Sequence, residues 1–260
     1  MPWTSRVKDL STTSTTPHAP GSTAVIGRAP GNLSINFTPA EFFGAGARCS
    51  HLHVINASLV TPESVMIRSL VEQHVDDTTA DFAVQTSADT LKDFVKSYFA
   101  GTIASALAYL AMIKDGYVWS DHFENIGGGS TTATRTPDFV FARPNQTDVA
   151  LMESKGTRSL AAGAFDKTVE NGYLGQVEPH LGHTVGTAIA THGYSIGSWL
   201  TSTTKAELNI HHTDAVTAAG GGGPSSGSIA AVQQNNYATA FRLAHSEDFS
   251  RQIKDRQARR

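Results

Sequence analysis

Two short apolar runs lie between Pro137 and Lys155. Phe139-Val140-Phe141-Ala142 leads into the polar bend Pro144-Asn145-Gln146-Thr147, and then into Val149-Ala150-Leu151-Met152-Glu153-Ser154-Lys155. Two strand-length apolar runs around residues of turn composition predict a β-hairpin. Both faces of both runs are apolar, so the pair is predicted to be buried within a sheet. A turn between Asn145 and Gln146 sets Asp138 directly opposite Glu153. Lys155, two residues on, then projects from the same face, because side chains alternate along a strand.

Elsewhere the period is helical. Thr90 is placed to cap a stripe of Leu91, Phe94, Val95, Tyr98, Ile103, Leu107, Leu110 and Ile113 that stops at Asp115-Gly116, which predicts a long helix. Ala100, Gly101, Ala104, Ala106, Ala108 and Ala111 would let that helix sit close against a sheet. Thr61 before Pro62-Glu63-Ser64 predicts another helix, with Val65, Ile67, Leu70 and Val71 as its apolar side. Alternation within 33–60, notably His51-Leu52-His53-Val54-Ile55, suggests one or two strands. Further strands are predicted at 117–120, 184–191 and 206–210, and a helix at 157–172 that Gly163 weakens.

The order helix, three strands, helix, strand predicts an α/β sandwich, a central mixed β-sheet flanked by helices. Residues 1–35, rich in Ser, Thr, Pro and Gly without a period, read as a flexible N-terminal arm. Residues 36–90 form an accessory segment and 91–215 the core. Residues 216–230 are a Gly/Ser-rich linker, since Gly220 to Gly223 lack the Lys-Ser/Thr of a phosphate loop. Residues 231–260 are a helical, basic C-terminal segment.

Composition narrows the setting without naming a function. With 40% hydrophobic and 17% charged residues, the chain suits a soluble protein with a core. Its net charge of −3 gives no global basic signal, so any nucleic-acid contact must rest on a local patch. The single cysteine, Cys49, excludes an internal disulfide and agrees with a reducing compartment. The longest apolar run, 103–113, falls short of the roughly 20 residues that cross a membrane. Arg6 and Lys8 are not followed by an apolar signal segment. A cytoplasmic protein with no membrane partner is expected, and a homo-oligomer is compatible with this composition.

The chemistry lies in the hairpin. Asp138, Glu153 and Lys155 bring three charges into a buried strand pair, where facing carboxylates repel unless something compensates. A divalent cation compensates. Carboxylate oxygens suit Mg²⁺, which needs only one or two of them and keeps several waters. A metal-bound water with a lysine beside it is the equipment of phosphodiester hydrolysis. Pro137-Asp138 followed by Glu153-Ser154-Lys155 resembles the signature of the PD-(D/E)XK nuclease superfamily, the restriction-endonuclease-like fold. The resemblance covers about 91–210.

That resemblance implies that Asp138 and Glu153 bind Mg²⁺, with Mn²⁺ as a substitute, that the Ser154 carbonyl completes the metal shell, and that Lys155 assists the attacking water. Many members of the superfamily carry a further acid on the preceding helix. Here the candidates are Asp93, Asp115, Asp121 and Glu124. A subgroup has Gln and Tyr four residues apart after the motif. This chain has Gln176 with His180 in the Tyr position and is not assigned to it.

Among the basic residues near the motif, Arg135, Arg143, Arg158 and Lys167, the last two are the candidates for phosphate contacts. The expected activity is therefore Mg²⁺-dependent cleavage of nucleic acid, DNA in the first instance, with a non-cleaving DNA-binding module of the same fold as the alternative.

Two other patterns carry chemistry in principle. Gly193-Tyr194-Ser195-Ile196-Gly197 fits a nucleophile elbow, with Ser195 as the nucleophile of an α/β-hydrolase and Asp214 and His245 as nominal partners. With 23 glycines in the chain, such a match also arises by chance. Cys49-x-His51-x-His53, His180/His183 and His211-His212 offer nitrogen and sulfur, but not at the paired spacings of structural zinc sites.

Overall fold

In the described residues, eight strands form one mixed sheet: Lys8–Pro17 (β1), Ser34–Phe37 (β2), Trp119–His122 (β3), Phe139–Ala142 (β4), Val149–Thr157 (β5), Thr184–Val185 (β6), Ala188–Trp199 (β7) and Glu207–Thr213 (β8). Their order is β2-β1-β8-β7-β5-β4-β3, with β6 against β7. The helices are Pro39–Cys49 (α1), Ala57–His74 (α2), Asp93–Lys114 (α3), the single turn Phe123–Ile126 (α4), Ala162–Gly172 (α5) and Ala230–Leu243 (α6). The computed structural model describes residues 3, 6–22, 24–52, 57–158, 161–201, 205–217 and 229–244, with the backbone alone at 57–60.

The predicted hairpin forms in the register its turn implies. β4 and β5 run antiparallel with Phe139 opposite Met152, Val140 opposite Leu151 and Phe141 opposite Ala150. Asn145 sits in the turn at φ 62°, a left-handed conformation that Asn tolerates better than most residues. Every residue of β4 is buried, and so is β5 through Glu153. β5 and β7 are parallel, so the chain must cross over between them, and α5 lies in that crossover.

Each face of the sheet builds its own core. Met152, Phe139 and Phe141 join α3 on one side, whereas Leu151, Val140 and Val149 join Tyr173 and Val177 on the other. α3 is long and apolar enough to meet the length and composition of a membrane span. Here that apolarity is directed inward, with Phe99, Ile103 and Leu107 packed in the first core. α6 covers the outer edge of β3: the Ser120 amide donates to Asn236 at 3.2 Å and the Trp119 indole to Tyr237 at 3.1 Å. Such a cover blunts an exposed sheet edge.

Four expectations are corrected. Residues 8–17 are not a flexible arm but an inner strand, antiparallel to β2 and parallel to β8. Its inward positions are Lys8, Leu10, Thr12, Ser14 and Thr16, so its period-two pattern is written mostly in polar residues that hydropathy passes over.

The segment 33–60, expected to hold one or two strands, holds the short β2 and then a helix that was not expected. Thr38 and Glu41 form a reciprocal capping box and Pro39 opens α1, a signal that was present in the letters. Of the pattern at 51–55, residues 53–55 lie outside the described residues. Thr90 does not cap α3, because its hydroxyl donates to the Ser87 carbonyl at the end of a preceding 3₁₀ turn. Finally, Gly193 to Gly197 lie within the unbroken β7, so the strand-to-helix turn of a nucleophile elbow is absent and Ser195 is 0% exposed. Of the expected linker at 216–230, residues 218–228 lie outside the described residues, as does the chain from 245 onward, His245 included.

Candidate active site

The acids meet where the hairpin pairing ends. Phe139–Met152 is the last β4–β5 pair, and one step further Asp138 and Glu153 face each other. Their backbone and side chains interlock. The Asp138 amide donates to Glu153 Oε2 at 3.0 Å, and the Ser154 amide donates to Asp138 Oδ2 at 2.9 Å. Ser154 Oγ donates to the same Asp138 oxygen at 2.7 Å and pairs with Ser105 Oγ of α3 at 2.9 Å. Asp138 therefore leans toward Ser154 rather than projecting straight at Glu153. The Phe123 amide donates to the Asp138 carbonyl at 3.1 Å, which fixes the backbone of this acid from the β3 side.

Glu153 is 1% exposed. Burial, and next the charge of Asp138, push its carboxyl up to about 8, while Lys155 and the Asp138 amide pull the other way. Lys155 Nζ is in direct contact with Glu153 Oε1 and with Gln176 Oε1 at 3.0 Å. The lysine side chain is 25% exposed and so lies at the opening of the site. On the far side of β5, Ser195 is the register partner of Glu153 and donates to the Val169 carbonyl at 2.9 Å, an inert structural position. The end of α5 closes over all three side chains. A Cβ on Gly172 would lie 2.8 Å from Ser195 Oγ, 2.9 Å from Lys155 Cε and 3.4 Å from Glu153 Cγ.

These donors fit one hard divalent cation. Both acids offer oxygen, Asp138 Oδ1 takes no hydrogen bond among the described residues, and Glu153 lacks enough positive charge to stay ionised. A strand residue directs its N–H and C=O to the same edge, so the Ser154 carbonyl faces the Asp138 edge along with its amide. The third acid is a different matter. Asp115 is tied to Arg143 at 2.6 Å beyond the opposite end of β4. Asp93 opens α3 and Glu124 is exposed on α4. Asp121, opposite Val140, is buried, and its Oδ1 accepts from the His122 amide and Asn125. Among the described residues, no group of three His, Cys, Asp or Glu converges on one point.

Two residues not assigned to the site prove to support it. α5 runs into a π-turn, Tyr173–Val177, and a 3₁₀ turn, Glu178–His180. The wider turn brings Gln176 over the site, where its Nε2 donates to the Thr136 carbonyl at 3.0 Å and its oxygen holds Lys155. One turn further, His180 accepts the Ser130 amide at Nδ1 and donates from Nε2 to the Arg135 carbonyl. That neutral tautomer pins the loop that delivers Pro137 and Asp138. Their four-residue spacing was visible in the sequence, whereas the π-turn that aims them was not.

Of the two expected phosphate contacts, the structure keeps one exposed. Arg158 follows β5 rather than lying on α5. Its guanidinium is 3% exposed, paired with Asp89 and bonded to the Leu200 carbonyl at 2.8 Å. It is a structural cation. Arg158→Ala should lower stability by about 2 kcal/mol, measured by thermal melting. Lys167 stays exposed on α5 beside Glu170. Cys49 and His51 go to separate partners, the Ser105 carbonyl and Glu63; His53 lies outside the described residues.

No family model, no curated protein and no solved structure matches this chain.

Proposed function

We propose that this chain is a Mg²⁺-dependent phosphodiesterase of restriction-endonuclease-like type that cleaves nucleic acid, DNA in the first instance. The observation that carries the reading is the pair formed by the half-buried Asp138 and the buried Glu153 at the end of a hairpin, interlocked through backbone amides, with the Lys155 ammonium on Glu153. The order helix, three antiparallel strands, crossover helix and parallel strand around it supports the same reading.

Asp138, Glu153 and the Ser154 carbonyl would hold the metal, which supplies charge against the phosphate and an acidified water. Lys155, steadied by Gln176, orients that water at the mouth of the site. The attacking water would give one proton to solvent as its oxygen bonds to phosphorus and the ester P–O bond breaks, and the departing oxygen would take up a proton from solvent. Lys167 offers a phosphate contact from the exposed face of α5.

Nicking of supercoiled plasmid tests this directly. Wild type should cut in Mg²⁺ and Mn²⁺ and stop in EDTA, while Glu153→Ala and Lys155→Ala should not cut. Undiminished cutting by Glu153→Ala would sink the site, and DNA binding without cutting in either metal would make the chain a non-cleaving module.

A second measurement needs no substrate. A cation must displace the proton that Glu153 holds below about pH 8. Mg²⁺ should therefore raise the melting temperature more at pH 8.5 than at pH 6. An equal shift at both values, or the same shift in Asp138→Ala, would contradict a metal on this pair.

A further inference from the structure

A second concave site lies near the turn end of the hairpin, on the sheet face that carries α3. It encloses about 480 Å³, within the range of small-molecule sites. Ala111 and Met112 from the last turns of α3, with Ile196 and Ile210 from β7 and β8, make an apolar floor, and each is buried. None of its lining residues belongs to the Asp138–Glu153–Lys155 site.

The walls are aromatic and carry fixed polar groups. Tyr194 and His212 are register partners on β7 and β8. Their rings are inclined by only 20°, with centroids 6.4 Å apart, and so present near-parallel faces. Tyr194 Oη lies 3.3 Å from Tyr117 Oη and 3.5 Å from Asp115 Oδ2. Arg143 lies flat over the Tyr117 ring at 4.1 Å, and its Nη2 is held by the Asp115 carbonyl at 2.9 Å and carboxylate at 2.6 Å. Asp214 sits 3.4 Å from His212, which holds the Asp214 carboxyl below its ordinary value. Besides the imidazoles of His192 and His212, the lining carries two carboxylates, Asp115 and Asp214, against one guanidinium, Arg143.

We propose that this pocket binds a planar nitrogen heterocycle, neutral or protonated, and discriminates against the same ring bearing a phosphate. Flat faces over an apolar floor favour a ring that stacks. Positioned phenol, carboxylate and guanidinium groups answer ring nitrogens and exocyclic amines, and the excess of acid opposes an anion. The site is independent of the nuclease reading, because it needs neither metal nor catalysis.

The test is titration of the full chain at pH 8 with adenine and 4-aminopyridine as probes and adenosine monophosphate as the anionic counterpart. Methyl and aromatic NMR shifts of Met112 and Tyr194 would report location. Both probes should bind wild type and move those resonances. His212→Ala should weaken them about tenfold by removing one stacking face. Adenosine monophosphate should bind more weakly than adenine. Glu153→Gln should bind both probes as wild type does, which separates this pocket from the catalytic one. Silence of both probes at millimolar concentration against folded wild type would overturn the proposal. So would shifts elsewhere in the protein, equal affinity for adenosine monophosphate, or undiminished binding by folded His212→Ala.

Discussion

Glu153→Gln should give a protein that is folded, more stable than wild type at pH 8, and about 1,000-fold slower at cutting DNA. The gain in stability follows from where the glutamate sits. Its carboxyl titrates near 8 in the fold, against an ordinary value of 4.5. Between those values the folded chain holds a proton that the unfolded chain has lost. Stability supplied by that proton is whole below the ordinary value and drains away as pH rises through about 8. The uncompensated charge thus costs on the order of 2–4 kcal/mol at and above pH 8. A glutamine keeps the acceptor for the Asp138 amide and discards the charge. Melting curves from pH 4 to pH 9 should show the variant level with wild type at the acid end and several degrees above it at the alkaline end. A variant less stable at every pH would mean that Glu153 is held for packing, not for chemistry.

Gly156→Ala should be the most damaging small change in the core. The added Cβ would come 2.2 Å from the Ala100 carbonyl oxygen, 2.8 Å from its carbon and 2.8 Å from Ala104 Cβ. None of these atoms is the tip of a flexible side chain, so α3 itself must lift from β5. The expected loss is about 3 kcal/mol, at the upper end of overpacking costs. The same displacement pulls Ser105 from Ser154 and slackens the hold on Asp138, so Mg²⁺-dependent cutting should fall in whatever fraction still folds. Gly163→Ala is the matched control. Nothing lies within 4 Å of its Cβ, and a helical alanine there should add up to about 1 kcal/mol. Urea titration of the two variants would rank them.

The hairpin was legible because two independent features agreed: apolar residues on both faces, and a turn whose centre sets the register. That same register puts Asp138 across from Glu153 and Lys155 beside it. What the letters could not convey was orientation. Asp138 bends to Ser154 because the strand beside it has ended and two donors are on offer there. Arg158 looked like a free cation and is spent on Asp89 and Leu200. Gln176 and His180 acquire their roles only through a π-turn, which widens the helix by one residue and leaves no hydrophobic period to detect. β1 escaped notice for the opposite reason: its period was present, but in Thr and Ser.

β1 also dictates the timing of assembly. It precedes every other strand along the chain, yet its parallel neighbour is β8 at Glu207–Thr213. From α3 to β5, by contrast, neighbours in the sheet are neighbours along the chain. On a ribosome, the hairpin and its helix can therefore settle while β1 has the four-residue β2 and isolated bridges to Ala29 and Asp81 to pair with. The β4–β5 hairpin is early and local; closure of the sheet is late and long-range, the kind of contact that slows folding. Until residue 213 has emerged, the inner edge of β1 is an open template for other strands.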